Sequence, residues 1–144
     1  MGSNIAATGL LRDLQARAEA GHPVRIGLVG AGEMGTDIVV RAGLMTGIEV
    51  AAIADIDPSL AHRAVEIARG SAGFCADASN AGDVDAAIEA NKTAVTTSDA
   101  LIESGHIDVV VDATGVPAVG AEIGLAAMER GKHLVMMNVE ADVT

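Results

Sequence analysis

Six consecutive residues constrain this chain more than any others: Gly30-Ala31-Gly32-Glu33-Met34-Gly35, three glycines in G-x-G-x-x-G spacing. In a chain with 17 glycines the spacing alone carries little. Its setting carries more. The preceding Val24-Arg25-Ile26-Gly27-Leu28-Val29 is short, β-branched and bounded by glycines, as a buried strand is. From Gly35 to about Leu44, Met34, Ile38 and Arg41 fall on one helical side and Val39 and Val40 on the next, with Gly43 and Gly47 marking the end. Between a strand and a helix each glycine has a physical task. Gly30 permits the tight turn, Gly32 lets the backbone approach a pyrophosphate, and Gly35 lets the helix lie close to the strand. The helix start then offers unpaired N–H groups and partial positive charge to phosphate. Gly30, Ala31, Gly32, Glu33, Met34 and Gly35 are therefore candidate cofactor-binding residues.

The second strand supplies the other half of the pattern. Ile48 to Ala54 is apolar apart from Glu49, the mark of a parallel strand covered on both faces, and it ends in Asp55. Asp55 lies twenty residues beyond Gly35, where an acid accepts hydrogen bonds from the adenosine ribose and favours NAD over NADP. Its simpler role is to cap the turn that follows. Asp57 and the later Arg63 complicate the preference, because an arginine on that helix could reach a 2′-phosphate; the cofactor is left as NAD(P)(H).

The rest of the chain alternates in the same way. A helix from Thr8 to about Ala20 opens it, with Leu10, Leu11, Leu14 and Ala18 on one face and Gly21 and Pro23 at its end. Asp57 caps a helix that Pro58 opens and that runs to about Arg69; Gly70 to Ala78 reads as a loop. Asn80 to Asp83 begins another helix, to about Ala90. Thr93 to Thr97 is a short strand, and Ser98 or Asp99 caps a brief helix ending at Gly105. Ile107 to Asp112 is a central strand, Ala113 to Pro117 a turn, and Val119 to Arg130 a helix with Ile123, Ala126 and Ala127 inward. His133 to Val139 is the last strand. Such alternation implies a parallel sheet with right-handed crossovers, and the expected fold is α/β, a doubly wound dinucleotide-binding sheet truncated after strand 5. Residues 1–22 are read as an N-terminal helix and 23–144 as the binding domain. Ligands of such sheets sit outside the C-terminal strand ends, so Ala113, Thr114 and Gly115 join the cofactor candidates on the nicotinamide side. Asn138 falls on the same rim as a cofactor candidate, and Asn138 and Glu140 are weak catalytic candidates.

Composition excludes several classes. One cysteine, Cys75, rules out an intrachain disulfide and any multi-cysteine metal site, and suits a reducing compartment. The formal charge of −11, with Lys92 and Lys132 the only lysines, argues against a nucleic-acid surface or an anionic membrane. No apolar run approaches a membrane span, and Met1 to Ile5 lacks a secretory start, so a cytoplasmic location is expected. His22, His62, His106 and His133 show no metal spacing. There is neither a G-x-S-x-G nor a Walker lysine.

The glycine motif, Ile53-Ala54-Asp55, Ile107 to Gly115, and above all Gly131-Lys132-His133-Leu134-Val135-Met136-Met137-Asn138-Val139-Glu140-Ala141-Asp142-Val143 resemble the N-terminal part of homoserine-dehydrogenase-like oxidoreductases. The likeness covers residues 8 to 144, and the segment from Gly70 to Asn91 is reminiscent of the deoxyxylulose-phosphate-reductoisomerase-like branch. That resemblance implies an NAD(P)-dependent oxidoreductase continuing into a substrate or dimerisation domain and a C-terminal SAF domain. It implies a small, phosphorylated carbonyl or hydroxy substrate, a divalent metal in the full-length protein, and a homo-oligomer. Catalytic groups would then lie beyond Thr144, leaving this piece inactive alone. One departure stands out. Homoserine dehydrogenases carry Asn-Lys after the fifth strand, and here the pair is Asn138-Val139; valine has no proton to give. The alternatives are a homoserine dehydrogenase-like enzyme and a non-catalytic nucleotide-sensing module.

Overall fold

A computed structural model describes residues 9–137. Its elements in chain order are α1 (Leu10–Glu19), β1 (Val24–Val29), α2 (Glu33–Ala42), β2 (Ile48–Ala54), α3 (Pro58–Arg69), a 3₁₀ turn (Ala72–Phe74), β3 (Cys75–Asp77), α4 (Ala81–Glu89), β4 (Thr93–Thr96), α5 (Ser98–Glu103), β5 (Val109–Asp112), α6 (Pro117–Glu129) and β6 (His133–Met136). The strands form one sheet in the order β3-β4-β2-β1-β5-β6, and every pairing is parallel. The chain leaves β1 toward β2 on one side and returns to β5 on the other. That reversal makes the C-terminal end of β1 the switch point of a doubly wound fold.

The apolar runs of β1 and β2 are covered on both faces. On one face Leu28, Ile53 and Val111 pack with Val39 of α2 and Val65 of α3. On the other, Ala52, Ala54 and Val110 pack with Val84 and Ile88 of α4, Leu101 of α5 and Ile123 of α6. Alanine and valine dominate both layers, which lets helix backbones approach the sheet closely.

Five strands were expected and six are described. The additional one, β3, falls within Gly70 to Ala78, read from sequence as a loop, and it extends the sheet at the β4 edge while the five expected strands keep their places. Three residues are too few to show a period, and Cys75-Ala76-Asp77 has no β-branched side chain to mark it. Thr97, not Ser98 or Asp99, caps α5: its Oγ1 accepts the Ala100 N–H at 3.3 Å. Asp57 and Asn80 cap α3 and α4 as expected. Pro117 takes the first turn of α6, two residues before the expected start. Of the leucine face of α1 only Leu14 is buried; Leu10 is 75% exposed. Leu14 rests on Gly47, whose φ of +83° and missing Cβ admit the helix. Thr8 and Val139 lie outside the described residues.

Candidate functional site

At the switch point three strand ends are tied together. Gly30 N–H donates to the Ala54 carbonyl and Ala113 N–H to the Val29 carbonyl, both at 2.8 Å. The glycines fit this geometry in three different ways. Gly30 has a φ of +100°, and a Cβ there would lie 2.7 Å from the Ala113 carbonyl oxygen. A Cβ on Gly35 would come within 1.9 Å of the Gly30 carbonyl oxygen, so this glycine is required by the approach of α2 to the loop. Gly32 is the opposite case: a Cβ there meets no protein atom within 4 Å. Nothing inside the fold requires glycine at position 32, and the space its side chain would fill is open cleft.

That cleft has a volume of about 450 Å³ and is lined by Gly30, Gly32, Asp55, Ala113 and Thr114 among the expected residues. It is also lined by Ile56, Leu60, Thr97, Ser98, Val116 and Val119, which the sequence reading did not single out. Ile56 is fully exposed beside Asp55, and Val116 and Val119 present half-exposed apolar surface at the opposite end. The alternation of Ile-Ala-Asp-Ile gave no cue that Ile56 faces outward, whereas Val116 and Val119 follow once the α6 start is placed at Pro117. Ala31, Gly32 and Glu33 border a smaller recess between α2 and α3, with Thr36, Asp37 and Arg63. Arg63 therefore lines a different concavity from Asp55. Met34 is half exposed, Gly35 is buried behind the loop, and Gly115 (φ +69°) turns the chain without lining the cleft. Asn138 and Glu140 lie outside the described residues.

Of the two roles weighed for Asp55, the structure shows the turn cap, and beside it a second bond to the glycine loop. The Asp55 Oδ1 accepts the Asp57 N–H at 2.8 Å, the local turn bond. Its Oδ2 accepts the Ala31 N–H at 2.8 Å, which fastens the end of β2 to the glycine loop. Each carboxylate oxygen keeps further acceptor capacity toward the cleft. On the far side Asp112 Oδ1 accepts from Thr114 N–H at 3.0 Å and from Thr114 Oγ1 at 2.8 Å.

Other polar groups are structural. Lys132 lies before β6, at the opposite end of the sheet from the cleft, and donates to the carbonyls of Ser104 and Ile107. Desolvation there lowers its pKa, against the opposing pull of Asp108 and Asp85. Burial raises the Cys75 thiol, helped by Asp77, so it is a poor nucleophile. His62 pairs with Asp77, and His106 with Asp85 and Glu89. Among the described residues no group of three His, Cys, Asp or Glu side chains could hold a metal ion. No described helix is long and apolar enough to cross a membrane.

An open parallel sheet, a glycine loop at its switch point and an acid at the end of β2 define a dinucleotide-binding domain. Residues 7–143 match the family described as homoserine dehydrogenase, NAD binding domain, and the chain belongs to that family. Its cofactor class is NAD(P). Among solved structures it is similar to myo-inositol dehydrogenase from Lactobacillus casei in complex with NAD(H) and myo-inositol (TM-score 0.58, 23% identity, 79% of this chain and 28% of that one). It is similar also to a 3-ketoreductase from Actinomadura kijaniata in complex with NADP (TM-score 0.56, 23% identity, 80% and 30%). A third is scyllo-inositol dehydrogenase from Lactobacillus casei with NAD(H) and scyllo-inositol (TM-score 0.57, 16% identity, 79% and 27%). The chain spans less than a third of the length of these structures. No curated protein is a significant match by sequence.

Proposed function

We propose that this chain binds NAD(H) in preference to NADP(H) and serves as the cofactor domain of an oxidoreductase. The single observation that carries this is Gly32: open space where a Cβ would stand, at the N-cap of a helix and in the lining of the cleft. The pyrophosphate lies over Gly30 to Met34, the adenosine ribose against Asp55, the adenine on Ile56 and Leu60, and the nicotinamide half toward Ala113 and Thr114. The preference for NAD rests on Asp55, a carboxylate that lines the cleft at the place a 2′-phosphate would occupy, with Arg63 turned to the neighbouring recess. Bound, the nicotinamide supplies or accepts a hydride; this chain's residues hold and orient it.

The substrate of the whole protein is a small carbonyl or hydroxy compound. Its more specific form, a phosphorylated sugar handled as in the reductoisomerase-like branch with a divalent metal, rests on the resemblance of the segment from Gly70 to Asn91. A SAF domain and a homo-oligomeric assembly rest on the wider resemblance to homoserine-dehydrogenase-like oxidoreductases. Val139 favours a second reading, a nucleotide-sensing module without catalysis, and weighs against homoserine dehydrogenase chemistry. Calorimetric titration of NADH and NADPH into the chain tests the binding reading, which expects saturable binding with NADH at least tenfold tighter, a margin of the order of one lost charged hydrogen bond. Assay of the longer protein with deoxyxylulose phosphate, homoserine and related aldehydes separates enzyme from sensor: turnover of one supports the enzyme, and firm cofactor binding with turnover of none supports the sensor.

A further inference from the structure

Among the described residues Asp112 is the one charged residue in the buried core, with no exposed surface, and it forms no ion pair with any of them. One oxygen, Oδ1, is held by the Thr114 N–H and hydroxyl. The other, Oδ2, is buried with no hydrogen-bond partner. Leaving a carboxylate oxygen unpaired in the interior is costly, and a residue that only had to hold the Thr114 turn would do so without a charge. Its position supplies a reason. Asp112 is paired across the sheet with Val29, a residue of the cleft lining, about one strand spacing away. The two residues after it, Ala113 and Thr114, line the same cleft. With Asp55 at the end of β2 and the glycine loop after β1, a dinucleotide running across the switch point brings its nicotinamide to the β5 side, above Asp112.

We propose that Asp112 sets the oxidation-state preference of the site, its uncompensated carboxylate favouring the cationic ring of NAD+ over the neutral ring of NADH. Oxidised and reduced cofactor differ by one unit of charge on that ring, and a fixed negative charge in a medium of low dielectric discriminates between them. The inference rests on the nucleotide-binding reading above.

The test compares NAD+, NADH and ADP-ribose, which lacks the nicotinamide, on the wild-type chain and on Asp112→Asn. Asparagine keeps the shape and an Oδ1 acceptor for Thr114 while removing the charge. NAD+ affinity is expected to fall on the order of tenfold in the variant, with NADH and ADP-ribose changed by less than about twofold, the pattern of one lost charge–charge interaction. Equal losses for all three ligands would show a merely structural role and overturn the proposal, as would no change in any. The wild-type chain tests it independently of the variant's folding: NAD+ is expected to bind no more weakly than NADH, and a marked preference for NADH contradicts the proposal. Wild-type binding of none of the three would sink the nucleotide reading itself, and this inference with it.

Discussion

Three glycines in one motif answer to three different constraints, and substitution separates them. A Cβ at position 32 meets no protein atom within 4 Å, so Gly32→Val is expected to melt within a few degrees of the wild type while losing NADH binding. Alanine at position 35 would press its Cβ against the Gly30 carbonyl; Gly35→Ala is expected to destabilise the fold by about 1–3 kcal/mol, the usual cost of overpacking, read by urea denaturation. The reverse outcome, an unstable Gly32→Val and a stable Gly35→Ala, would mean that the loop is packed differently. Asp55 belongs to the same scale. Its carboxylate bonds two backbone N–H groups and faces the cleft. Asp55→Ala is expected to weaken NADH roughly tenfold or more while leaving NADPH unchanged or improved, because a charged hydrogen bond is lost in one case and a repulsion in the other. Equal losses for both cofactors would place the ribose elsewhere.

At the scale of elements, what the sequence revealed follows the strength of local signals. β1 and β2 have the limits read from their apolar runs, since strands covered on both faces are apolar throughout apart from Arg25 and Glu49 near their starts, which pair with each other. The caps Asp57 and Asn80 were legible because a side-chain oxygen at a helix start answers a local demand. Asp57→Ala is expected to cost about 1 kcal/mol in chemical denaturation, the usual worth of such a cap, and no loss would mean that water satisfies the Ser59 N–H equally well. β3 was not legible. Its three residues form a strand only because β4 lies beside them, a tertiary cause with no local trace. The same holds for α1, whose periodic leucines suggested a buried face; its actual seat is one leucine against Gly47. In the cleft, glycines and an acid were readable from spacing, while Thr97 and Val119 were not, because they are brought in by a strand and a helix far from the glycine loop in sequence.

For the whole molecule the notable quantity is the formal charge of −11 in a domain that holds an anion. Lys92 and Lys132 are the only lysines, neither lines the cleft, and in the proposed binding mode phosphate is met by backbone N–H groups at a helix start. Long-range repulsion therefore opposes cofactor binding and salt screens it. Raising sodium chloride from about 20 to about 200 mM is expected to leave NADH affinity unchanged or modestly higher. A steep loss would instead reveal a cationic phosphate clamp. The near absence of aromatic residues fits the same picture, since small and β-branched side chains suffice where helices cover a parallel sheet.

The most direct measurement is a calorimetric titration of NADH into the chain beside its Gly32→Val variant. The wild type should bind one equivalent saturably, and the variant, equally folded, should release no binding heat. Absence of wild-type binding at millimolar cofactor, or undiminished binding by the variant, would contradict the placement of the pyrophosphate over the glycine loop.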